Sequence, residues 1–165
     1  MTIYVGIDPG PKTNGLVVYH TIDAPHTPGV VTTAKPRASL DEVRKLIHNL
    51  KYGQGLTFQV VLEMTTPGPP STTVHDTSIV CGRIIELCDY RFIQCHTVTR
   101  PAVRSFFRVQ PKGADSGIRS EIIRRHPTTN GGHITRSRQS PLYGMSTHAW
   151  AALAVVLTHI GTKKP

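Results

Sequence analysis

The chain has 165 residues, 38% of them hydrophobic and 18% charged, which suits one domain able to bury a real core. No run of about eighteen apolar residues occurs, which excludes a helical membrane span, and the opening residues read as a strand with no secretory signal expected. The net charge of +9 is lopsided: residues 1–90 hold seven Lys/Arg against eight Asp/Glu, and residues 91–165 hold twelve against two, which points to a polyanion partner, nucleic acid before an acidic protein or a membrane surface.

In chain order, Ile3-Tyr4-Val5-Gly6-Ile7-Asp8 reads as a strand of β-formers stopped by Pro9-Gly10, and Gly15-Leu16-Val17-Val18-Tyr19 as its hairpin partner. Pro25, Pro28 and Gly29 mark a loop, and Val30-Val31-Thr32-Thr33 an edge-type strand. Ser39 with Glu42 three residues on forms a capping box for a helix carrying Leu40, Val43, Ile47 and Leu50 on one face. Phe58–Glu63 is the next strand, and Thr65–Thr73, with three prolines and a glycine, is a loop. A helix is expected over about Val74–Asp89, with Val74, Thr77, Cys81, Ile84 and Cys88 along one stripe. Arg91–Val98 reads as a fifth strand, followed by short helices near Pro101–Arg108 and Ser116–His126. Residues 127–146 read as a mobile basic loop, and a last helix after Ser146 carries Trp150, Leu153, Ala154 and Leu157. No repeat or interdomain linker interrupts residues 1–165, which are taken as one mixed α/β domain. Cys81 and Cys88 stand seven residues apart on one helix, roughly 10 Å and too far to bridge, so a reduced, intracellular protein is expected.

Asp8 and Glu63 each close an apolar strand, and adjacent strands would bring both carboxylates to one sheet edge. His148, in the first turn of the last helix, is placed to face them. Two carboxylates and an imidazole suit a divalent ion, Mg²⁺ or Mn²⁺. The ordinary alternatives are a turn aspartate bonded to its own loop, a salt-bridged strand-end glutamate and a plain surface histidine.

Three blocks in order carry a resemblance: Gly6-Ile7-Asp8-Pro9-Gly10 with Thr13-Asn14-Gly15, then Val61-Leu62-Glu63, then His148-Ala149-Trp150-Ala151-Ala152-Leu153-Ala154. Together they resemble the motifs of RuvC-type Holliday-junction resolvases, in the RNase H-like superfamily, and look like a divergent or phage-type member. The resemblance implies a five-stranded mixed sheet flanked by helices, a homodimer, and two Mg²⁺ ions (Mn²⁺ as substitute) roughly 4 Å apart. It implies Asp8 as bridging ligand, with Glu63 and His148 as further metal ligands. The implied chemistry is attack of water on a DNA phosphodiester, giving symmetric nicks in a four-way junction with 5′-phosphate and 3′-hydroxyl ends. A cytoplasmic setting follows, in a bacterium or a phage-infected host.

The sequence departs from that pattern in places. The family calls for aspartate three residues after the first ligand of the last helix, and here Ala151 stands there. Positions i and i+3 share a helix face, so alanine removes an oxygen aimed at the same site. Natural loss and an engineered Asp→Ala exchange both account for it, and the second is favoured. Weakened metal binding and little cleavage are expected. At Asp115-Ser116-Gly117 the family often has a lysine near the scissile phosphate; Lys112 and Arg119 are the candidates to replace it. Met64-Thr65-Thr66 lacks the aromatic wedge of some members.

For the DNA backbone, Arg100, Arg104 and Arg108 recur every four residues as a row on one helix face, with Arg124, Arg125, Arg136 and Arg138 extending it. Phe106 and Phe107 are assigned to the core. Two other readings stand beside the nuclease: a non-catalytic binder of DNA junctions, and an actin-like phosphate-binding domain, which 165 residues leave little room for.

Overall fold

The structure, a computed structural model, describes residues 2–21, 29–53, 56–65, 71–110, 113–125, 142 and 145–163. Five strands, β1 (Ile3–Asp8), β2 (Asn14–His20), β3 (Val30–Ala38), β4 (Phe58–Met64) and β5 (Cys95–Thr99), form one sheet in the order β3-β2-β1-β4-β5. β1, β2 and β3 are antiparallel neighbours, whereas β4 and β5 run parallel to β1. The sheet is therefore mixed, as the resemblance implies, with β1 at its centre, apolar up to its closing Asp8, and β3 on an edge.

Helices cover both faces: α1 (Leu40–His48), α2 (Thr72–Tyr90), α3 (Arg100–Phe107), α4 (Ala114–Arg125) and α5 (Thr147–Thr162), with a π-helical turn at Asn49–Gly53 after α1. Strand residues alternate between faces. Ile3, Val5 and Ile7 of β1 and Phe58, Val60 and Leu62 of β4 pack with Val43, Ile47, Cys81, Ile84 and Cys88 of α1 and α2. Tyr4 and Val61 pack on the opposite face with Val103, Phe107, Ile118, Ile122 and Leu153 of α3, α4 and α5. Each fully buried aliphatic side chain of this kind contributes about 1.5–3 kcal/mol. Helix α5 is buried nearly all round, because the sheet lies on one side of it and α3 and α4 on the other.

Several sequence expectations shift for local reasons. The capping box of α1 is present, with the Glu42 amide donating to Ser39 Oγ at 3.2 Å and the Ser39 amide donating to Glu42 Oε2 at 2.8 Å. Helix α2 begins two residues early because Ser71 caps it through the Val74 amide. Strand β5 starts at Cys95, not Arg91, because Arg91 caps α2 and Phe92 turns left-handed (φ 53°). The stripe on α2 is core: Thr77, Cys81, Ile84 and Cys88 are buried against the sheet and are not available to a second copy. Helix α3 ends at Phe107, where Arg108 adopts φ 56°, so the row of Arg100, Arg104 and Arg108 does not continue along one helix face. Cys81, Cys88 and Cys95 are free thiols. Among the described residues no helix is long and apolar enough to cross a membrane.

Most of the basic segment 127–146 lies outside the described residues, as do Lys112, Arg136 and Arg138; of its far end, Leu142 is buried in the core on the α5 side.

Candidate active site

The register of the central strands sets the site. Gly6 pairs with Val61 and Ile7 with Leu62 across the parallel β1–β4 ladder, so the next residues, Asp8 and Glu63, come side by side at the carboxyl ends of their strands. By alternation both point to the face that α5 covers, together with Tyr4 and Val61. Asp8 also pairs with Gly15 across β1–β2. A Cβ at Gly15 would overlap the His148 carbonyl oxygen, and one at Gly6 would overlap that of Ala152. Only glycine at these positions lets α5 lie this close to the sheet, and the closeness delivers His148 to Asp8. His148 Nδ1 stands 2.9 Å from Asp8 Oδ2, a pair separated by 140 residues in sequence.

A cavity of about 760 Å³ opens over these groups, lined by Asp8, Glu63, Arg100, Asp115, His148 and Ala151 among others. A smaller one of about 230 Å³ adjoins it and shares Asp8, Glu63 and Arg100 as its wall. Arg100, the first residue of α3, reaches Glu63 Oε2 with Nη1 at 3.4 Å and hydrogen-bonds Asp115 Oδ1 with Nη2. Burial raises the Asp8 pKa, and the hydrogen bond from His148 opposes the rise. Burial likewise pushes Glu63 up to about 7; Arg100 opposes this, while Asp8 and Asp115 add to it. A desolvated carboxylate among other carboxylates is the electrostatic condition that a cation relieves.

Asp8, Glu63, His148 and Ala151 all line one cleft. In kind the donors fit a hard divalent ion: two carboxylates and an imidazole, with a third carboxylate at Asp115. As they stand, however, the donors are engaged in pairs, Asp8 with His148 and Glu63 with Arg100. Among the described residues no three His, Cys, Asp or Glu side chains gather about a common point.

The arginines divide. Arg119 lines the cleft, with its guanidinium 5.3 Å from the centre of the Trp150 ring. Arg100 belongs to the site and is not a free phosphate contact. Arg124 and Arg125 both pair with Glu121, and Arg125 also stacks over Phe106 and Phe107 at 4.8 and 4.9 Å. Phe107 is buried and Phe106 packs against the core. Sequence reasoning missed Asp115 as a site residue. A signal was present, since Asp115 and Glu121 are the only acids among residues 91–165.

No protein-family model matches this sequence, and no curated protein does. Solved structures do resemble the fold. RuvC of Thermus thermophilus superposes with a TM-score of 0.69 at 12% identity, over 96% of this chain and 93% of that one. The same protein in complex with a Holliday junction substrate gives 0.65 at 12% identity, over 97% and 93%. The Fowlpox virus resolvase, in complex with substrate Holliday junction DNA, gives 0.53 at 13% identity, over 98% of each chain. At the level of the fold, these likenesses bear out the resemblance carried by the three sequence blocks: this chain has the five-stranded RNase H-like architecture of the RuvC and poxvirus resolvases.

Proposed function

We propose that this chain is a structure-selective DNA endonuclease of the Holliday-junction-resolving kind, weakened by the alanine at position 151. One observation carries the reading: strands β1 and β4 and helix α5, on a fold shared with two junction resolvases, deliver Asp8, Glu63 and His148 to one cleft. These three residues would hold Mg²⁺ or Mn²⁺. Such an ion would supply an activated water and charge stabilisation for the departing oxygen. The His148–Asp8 hydrogen bond orients both donors towards the cleft. Arg119 offers a guanidinium to a backbone phosphate at the cleft wall. The surplus of basic residues after position 90 supports a DNA partner, with a four-way junction as the branched substrate and two copies of the chain giving the paired nicks. A bacterial or phage-infected cytoplasm is the setting proposed.

The test is junction cleavage in Mg²⁺ by the native chain and by Ala151→Asp. Ala151 lies one turn beyond His148 on the cleft wall, so an aspartate there adds an oxygen to the site. We expect cleavage to rise about a hundredfold or more, on the scale of restoring one electrostatic catalytic contact. Unchanged activity sinks the assignment. The same alanine favours a second reading, a junction-binding protein without catalysis; tight junction binding with no cutting by either form would establish it.

A further inference from the structure

One guanidinium in the cleft pairs with two of its acids. Arg100 bridges Glu63 near the end of β4 and Asp115 in the first turn of α4, two acids that both line the cavity. Its side chain is only 28% exposed, and Glu63 only 14%. Arginine holds its charge at any working pH, so this cation is permanent.

Local structure does not favour a cation at this position. Arg100 stands at the start of α3, where Thr99 caps the helix and no acid occupies the first turn. A positive charge at a helix N-terminus meets the positive end of the helix dipole, which disfavours it. Asp115, by contrast, sits where the dipole of α4 welcomes it. The two carboxylates offset the cost to Arg100, and Arg100 supplies the positive charge that the crowded acids lack.

Resting on the metal-site reading above, we propose that Arg100 is an internal counter-cation of the cleft: it holds Glu63 and Asp115 together in the metal-free protein, and a divalent cation must displace it to engage them. The pairwise engagement of the donors follows directly. Glu63 is turned to Arg100, and among the described residues no three donors surround one point. Asp115 becomes a carboxylate within reach of the same contest, in a cleft where Ala151 has no oxygen to give.

Calorimetric titration of Mn²⁺ into the native chain, Arg100→Met and Asp115→Asn tests this, with circular dichroism to check each fold. An unlike charge beside a carboxylate shifts its affinity for a competing proton by tenfold or more, and a metal ion competes for the same oxygens. Arg100→Met is therefore expected to bind Mn²⁺ about tenfold more tightly than the native chain. Arg100→Lys, which keeps the charge, should stay near the native affinity, and Asp115→Asn should bind more weakly. Misfolding would weaken every variant, so affinity changes of opposite sign exclude it as the cause. Native binding with no gain in Arg100→Met overturns the counter-cation while leaving the metal site standing. Absence of Mn²⁺ binding by both the native chain and Arg100→Met overturns the metal reading and this proposal together.

Discussion

At neutral pH Glu63 is a burden on the fold, because burial lifts its pKa to about 7 while the unfolded chain ionises near 4.5. Below about pH 4.5 the group is protonated in both states and costs nothing. As pH rises to about 7 the unfolded chain releases a proton that the folded chain keeps, so stability falls, and above that the penalty stays constant. Glu63→Gln should therefore stabilise the metal-free protein by about 1–2 kcal/mol near pH 8 and by little near pH 4. Urea unfolding at the two values checks it, and an equal effect at both would remove the electrostatic explanation. Asp8 and Glu63 were legible in the sequence because a strand ending in an acid is a local pattern. Asp115 and the inward turn of Arg100 were not, because they depend on how α3 and α4 pack across the sheet, which no local spacing records. The regular spacing of Arg100, Arg104 and Arg108 suggested a phosphate-tracking row, and a single left-handed residue at Arg108 breaks it.

At the scale of elements, the site depends on how closely α5 lies on β1 and β2. Gly15→Ala would drive a methyl group into the His148 backbone. Overpacking of this kind costs about 1–3 kcal/mol, and here it also lifts the first turn of α5 away from Asp8. We expect a lower unfolding midpoint together with loss of the His148–Asp8 hydrogen bond, seen as a shift of the His148 ring resonances in NMR. A midpoint within error of the native value would refute the close-approach argument. The elements themselves were largely readable: runs of β-forming residues marked β1, β2 and β4, and the Ser39–Glu42 box marked the start of α1. The boundary errors fall where side-chain caps or a positive φ end an element, as at Ser71 and Phe92. Helix α5 was read as amphipathic, yet it is buried nearly all round, since a helix sandwiched between two layers needs no polar face.

At the scale of the whole molecule, the far end of α5 carries a second acid-sensitive feature. His159 is buried, its Nε2 has no hydrogen-bond partner among the described residues, and its ring stacks on His96 at 4.3 Å. Burial, His96 and Lys163 push the His159 pKa down to about 4, and burial and Lys163 lower that of His96. As pH falls from about 6.5 towards 4, the unfolded chain takes up a proton that folded His159 refuses, so stability declines through that window. His159→Leu should flatten the decline by about 1–2 kcal/mol between about pH 7 and pH 5 in denaturant titrations; parallel curves for the two proteins would contradict it. The same long helix joins the two ends of the chain in another sense. Asp8 and His148 meet only after 140 further residues have been made. At about 5–20 residues per second, a ribosome carries the emerging chain for on the order of ten seconds with its acids exposed and their partner unmade. The contact between Asp8 and His148 therefore forms only once α5 has left the exit tunnel and docked on the sheet, long after β1 itself has been made.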